Sequence, residues 1–230
     1  MDSPRSGTAQ PANTTNATGS QRPRSVTGSA QLVTFLIALT IVREIVVLAG
    51  NWRDYFLIHD YLAGTASAAD LESASNDLLT QLSSEWTLLV WFVTGVVFLV
   101  WLWRARINAE LLRGVESQHR SRPWVIGAWI TPVANLWYPY QVLRDIWRAS
   151  APKRPAPSLT LVQWWWACFL LDGFLKPTQW RLAQQEASEH DALVNANVDT
   201  VLMLLILGAG VFLVLVVRRI TAWQTAGLVD

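Results

Sequence analysis

Charge is scarce in this sequence: only 15% of its 230 residues are Asp, Glu, Lys or Arg, where soluble chains carry about 25%. That scarcity excludes an ordinary soluble domain. Cysteine is nearly absent, and Cys168, being alone, excludes an internal disulfide and any paired-cysteine zinc or redox motif. There is no Gly-rich phosphate loop, no G-x-S-x-G and no H-E-x-x-H, so no enzyme class has positive support. The three histidines are His59, His119 and His190. His59-Asp60 and His190-Asp191 are isolated dipeptides and do not make a metal site. No cofactor and no nucleic-acid partner is implied.

What the chain has instead is apolar length and tryptophan. Hydrophobic residues make up 52% of it, and 14 are Trp, a residue enriched where lipid meets water. Four apolar runs approach the roughly 20 residues needed to cross a hydrocarbon core: about 31–50, 86–103, 159–176 and 199–217. The expected fold is an all-α integral membrane bundle with four transmembrane helices. Residues 1–30, rich in Ser, Thr, Asn, Gln, Gly and Pro, read as a disordered tail. The sequons at Asn13 and Asn16 lie within it.

A fifth apolar stretch, Trp124 to Leu143, is interrupted by Pro132 and Pro139. Charge decides how it lies. With four spans, one side receives Arg5, Arg22, Arg24, the nine Lys and Arg of residues 104–158, Arg218 and Arg219, while the other receives Arg53, Lys176 and Arg181. The positive-inside rule then makes both termini and the central loop cytoplasmic, in a cell membrane. A fifth crossing would export Arg144 and Arg148 and erase that bias. Residues 124–148 are therefore expected to enter or lie on the membrane without crossing it, with a break near Tyr138.

From Pro139 onward, helical spacing puts Tyr140, Leu143, Ile146 and Trp147 on one face and Gln141, Arg144, Asp145 and Arg148 on the other. Such a helix either meets anionic lipid at headgroup depth or caps the bundle. Trp137, Tyr140, Arg144, Trp147 and Arg148 are the candidate contacts for lipid or a partner. Leu71, Leu78, Leu79 and Leu82 predict an amphipathic helix in the first outer loop. The Trp164–Trp166 run reads as an aromatic anchor, Gly114 as a helix stop, and Gly208 and Gly210 as a close helix contact.

Arg43, Glu44 and Asp172 are ionisable groups at membrane depth, where each is costly unless paired. Arg43 and Asp172 sit at similar depths in the first and third spans. An Arg43–Asp172 pair is expected, with Glu44 or Asp199 nearby. It serves either as a structural tie or as a site for a solute in a small transporter or channel component.

Trp101, Trp103, Arg104, Arg106, Asn108 and Glu110, then the pattern W-x-x-P-x-x-N-L-x-x-P-Y-Q from Trp129 to Gln141, then Asp145, Trp147, Arg148 and Ala149, then Trp164 to Trp166, resemble an actinobacterial membrane family catalogued as domain of unknown function 4328. The resemblance covers roughly residues 31–226. It implies a multi-span membrane protein and assigns no activity. The expectation is thus a non-enzymatic scaffold or interaction protein engaging anionic lipid, a protein partner or a second copy of itself through its basic loop.

Overall fold

The computed structural model describes residues 23–70, 86–152, 157–182 and 188–227. Six α-helices run through it: α1 (Thr27–Leu62), α2 (Thr87–Arg113), α3 (Trp124–Ile130), α4 (Tyr138–Ser150), α5 (Thr160–Leu182) and α6 (Glu189–Gly227). Single 3-10 turns lie at Val115–Ser117 and Ala134–Leu136. No strand occurs among the described residues.

α1, α2 and α6 are long and apolar enough to cross a membrane. α5, expected as a further span, has 23 residues, about 34 Å at 1.5 Å per residue, so length is not what sets it apart. Gln163, three consecutive Trp, Asp172 and Lys176 make it less apolar. Large apolar side chains face outward on all four long helices, among them Phe35, Phe92, Phe174 and Leu204. Exposed apolar surface on this scale needs a non-aqueous neighbour.

The helices overrun their expected limits because their ends find partners. α1 continues past Gly50 to Leu62. Beyond that glycine Asn51 donates to the Asp199 carboxylate, Trp52 Nε1 donates to Thr200 Oγ1 at 3.0 Å, and His59 bonds Glu189. At its other end α1 begins at Thr27, inside the segment expected as tail, and Val26 and Ala30 are buried. Residues 1–22, with both sequons, and the predicted amphipathic helix of residues 71–82 lie outside the described residues. Among the described residues, Ser67 and Asp70 cap a helical turn opening at residue 68, through Ser67 N–H and Oγ–H to the Asp70 carboxylate.

α6 is the central column. It packs along α1 on one side and α5 on the other, and α2 packs on α1. A methyl group on Gly210 would come within 2.9 Å of Ile41, and one on Gly208 within 3.2 Å of Cys168 Sγ, so glycine permits both close approaches, as expected. α2 and α5 make no extended contact with each other. The short α3 wedges between them: the Trp129 ring lies 5.6 Å from Phe98 on α2 and 5.8 Å from Phe169 on α5.

α2 ends at Gly114 with φ 82°, a backbone where a side chain is strained and would strike Glu116. α4 starts with Pro139 in its first turn, which loses no helical hydrogen bond. Its apolar face turns into the protein. Leu143, Ile146 and Trp147 are buried against α2 and α6, each contributing about 1.5–3 kcal/mol.

Candidate functional site

Two groups of polar side chains are held inside this frame. The larger gathers at the basic end of the bundle, where α2, α4 and α6 meet. Arg106 and Glu110 stand one turn apart on α2, so their side chains meet on one face. Arg106 Nε donates to Glu110 Oε1 at 2.7 Å and its Nη2 to the Arg120 carbonyl at 2.6 Å. Arg122 grips the other carboxylate oxygen at 2.6 Å. Burial pushes the Glu110 carboxyl up, but the guanidiniums of Arg122 and Arg106 together outweigh it and hold the group below its ordinary value.

Beside this triad lies a neutral network. Asn108 Nδ2 donates to the Arg24 carbonyl at 2.8 Å, and Arg24 N–H donates back to Asn108 Oδ1 at 2.8 Å. Asn108 also donates to Gln224 Oε1, while Gln224 Nε2 donates to the Ala105 carbonyl and to Ser150 Oγ. Gln224 is fully buried, so its amide is met entirely by protein. Asp145, also buried, accepts from His119 N–H at 3.0 Å and from Arg144 at 3.1 Å. The result ties the chain before α1, α2, α4 and α6 into one rigid hub. It contains no nucleophile held by a base. Its two buried carboxylates, Glu110 and Asp145, are each met by arginine.

The structure redistributes the candidate contact residues. Trp147 is 1% exposed, with its ring 4.6 Å from Trp223, so it is a core residue and not a lipid contact. Asp145, expected on the solvent face with Arg144, is buried as well. Arg144 reaches back to Asp145 and over the Tyr140 ring. Trp137 is exposed, Tyr140 half-buried and Arg148 exposed. The α4 helix therefore caps the bundle with its apolar face. In the Trp164–Trp166 run, Trp165 and Trp166 are buried and only Trp164 faces outward, so one ring of the three has an anchor's exposure.

The second group lies at mid-bundle. Arg43 pairs with its neighbour Glu44, and Asp172 with Lys176 at 3.2 Å, one turn along α5. The expected Arg43–Asp172 pair is not formed: similar depth does not bring α1 and α5 side chains together when α6 stands between them, and an i,i+4 lysine lies within reach. Among the described residues no three His, Cys, Asp or Glu are grouped to hold a metal ion.

Asp172 also lines a cavity of about 330 Å³ between α2 and α5, floored by α1 and α6 and with Trp129 at one end. Sequence reasoning missed both the cavity and the hub. The hub's signal was present, in Arg106 and Glu110 at i,i+4 and in an Asn and a Gln inside apolar helices. The cavity had none, since it comes from two helices failing to touch.

No curated protein and no solved structure matches the chain. A family profile described as a domain of unknown function does match, over residues 64–222, a shorter stretch than the resemblance suggested, leaving α1 outside it. Residues 64–222 take in α2 to α5, most of α6 and nearly the whole hub, and on that match the chain belongs to the family catalogued as domain of unknown function 4328.

Proposed function

We propose that this is a four-span protein of an actinobacterial cell membrane, with both termini and residues 104–158 cytoplasmic. In this reading it acts without catalysis, as a scaffold that engages anionic lipid at its cytoplasmic face. α5 serves as the third span: it packs along α6 and turns Trp164, Leu171, Phe174 and Leu175 outward, as a lipid-facing helix does. The α3 segment is re-entrant. Trp129 reaches Phe98, about 7 Å inside the expected span limit at residue 103, and Phe169, about 13 Å inside the start of α5 at Thr160, at 1.5 Å per residue. Ile130 and Val133 at its tip are exposed apolar residues. Backbone N–H groups of Thr131, Asn135, Leu136 and Trp137 donate within the turn, and Pro132 has none to satisfy, which lowers the cost of immersing this segment in hydrocarbon.

The observation that carries the functional reading is the contrast among arginines. Arg106, Arg122 and Arg144 are committed to Glu110 and Asp145, whereas Arg148, Arg218 and Arg219 are exposed at the same end of the bundle. Guanidiniums at this depth suit lipid phosphates. Arg144, a candidate at the outset, yields its place to this set. The test is lipid analysis of protein extracted in native lipid patches. Wild type is expected to retain anionic lipid above its bulk share, and the variant carrying Arg148→Gln, Arg218→Gln and Arg219→Gln to lose that enrichment. Equal enrichment in both would refute the reading.

A further inference from the structure

We infer that the cavity between α2 and α5 is a binding site for a small lipophilic amine, which enters sideways from the lipid and sets its ammonium on Asp172. This goes beyond the lipid-scaffold reading and uses none of its arginines.

The walls are apolar: Ile41 from α1, Phe98 from α2, Phe169 from α5 and Leu213 from α6 all line the space. Its hydroxyls are already spent, Thr40 on the Leu36 carbonyl and Thr94 on the Val90 carbonyl. Two lining polar atoms are buried without a partner, Asp172 Oδ1 and Trp129 Nε1. Asp172 is 8% exposed. A carboxylate oxygen left bare in an apolar enclosure is costly, and a donor brought by a ligand removes that cost. A cation is the better complement than a neutral donor because Trp91, Phe98, Trp129 and Phe169 line the space, and the faces of aromatic rings attract cations.

Trp129 lies at the basic end of the cavity. At the other, Lys176 holds Asp172 Oδ2 and places its ammonium 4.6 Å from the Trp91 ring, bridging α5 to α2. Because α2 and α5 do not pack on each other, a way in lies between them, from the bilayer. An occupant taking it must dissolve in lipid. A volume of about 330 Å³ lies at the small end for ligand pockets, which suits a single ring with a short amine-bearing chain.

Gly95 provides a clean block. It lines the cavity, and a Cβ added there meets nothing within 4 Å, so the first carbon of Gly95→Leu enters open space beside the cavity. Tritiated 4-phenylbutylamine is the probe, with 4-phenylbutanol as the uncharged analogue of the same shape, on full-length protein in zwitterionic nanodiscs. Saturable binding of one amine per chain is expected, with 4-phenylbutanol a poor competitor. Asp172→Asn should weaken binding by about tenfold or more, the loss of a charge-assisted contact. Gly95→Leu should abolish binding while keeping the wild-type unfolding temperature or raising it. The triple arginine variant should bind the amine as wild type does, which separates this site from the lipid-engaging face. Non-saturable uptake, equal competition by the alcohol, or undiminished binding in well-folded Gly95→Leu would overturn the inference. Should Asp172→Asn fail to fold, the Gly95→Leu and alcohol arms still decide.

Discussion

Trp129 meets Phe98 edge to face, ring centroids 5.6 Å apart at 83°, which anchors one side of a seven-residue helix set between two long ones. The same indole touches Trp165 and Phe169 on the far side. Trp129→Ala removes the wedge where α2 and α5 lack contact of their own. A loss of about 3–5 kcal/mol is expected, read as a lowered unfolding midpoint in detergent, with Trp129→Phe retaining most of the stability.

In the Arg106–Glu110–Arg122 triad both guanidiniums bind the one buried carboxylate. Breaking it from one side strands two guanidiniums, so Glu110→Gln should cost about 3–5 kcal/mol. The acid limb follows from the same geometry. With the folded carboxyl held below its ordinary value of 4.5, its contribution is complete above that value and is lost as pH falls through the lower folded value. Unfolding midpoints measured from pH 6 down to pH 3 should fall more steeply for wild type than for Glu110→Gln.

At the opposite end the sign reverses. The hydrogen bond and charge of Glu189 raise the His59 imidazole above 6.5. This link between α1 and α6 is therefore fully present below pH 6.5 and disappears as pH rises through the higher folded value. Stability scans from pH 5.5 to 8.5 should show a small decline in wild type that is missing in His59→Gln. A decline of the same size in both would discard the link.

Gly210 lies where α6 crosses Ile37 and Ile41 of α1. Gly210→Val puts branched carbons into a space too short for one, and overpacking of this kind costs about 1–3 kcal/mol. Gly173, whose added Cβ meets nothing within 4 Å, is the matched control: Gly173→Ala should leave the unfolding midpoint unchanged or higher.

Orientation is open to single-cysteine labelling in a Cys168→Ser background. Cysteine at Asp70 should react from outside intact cells, and cysteine at Val115 only after permeabilisation. Cysteine at Val133, at the tip of the α3 segment, should resist a charged reagent from either side. Ready labelling of Val133 before permeabilisation would remove the re-entrant reading.

Sequence reading succeeded where one physical rule dominates. The runs inside α2 and α6 are uninterrupted and apolar, the Gly114 stop is set by backbone geometry alone, and Pro139 marks the start of α4 because it fits only there. It failed where the answer depends on which side of a helix meets which neighbour. Asp145 alternates correctly for a solvent face, yet His119 and Arg144 bury it. Arg43 and Asp172 match in depth, but depth carries no information about azimuth, and α6 intervenes. Trp147 has the spacing of a headgroup aromatic and sits on Trp223 instead, a contact made across 75 intervening positions of sequence.

Gln224 gives the hub a place in time as well as in space. It bonds Ala105, Asn108 and Ser150, all of which leave the ribosome long before it. While α6 is still unmade, the Asn108 amide and the Ser150 hydroxyl wait with no protein partner at this position, and α1 and α5 lack the column that joins them. The basic end can close around Gln224 only when the last helix is in. A chain stalled inside α6 would present its quality-control machinery with open polar groups at one fixed spot.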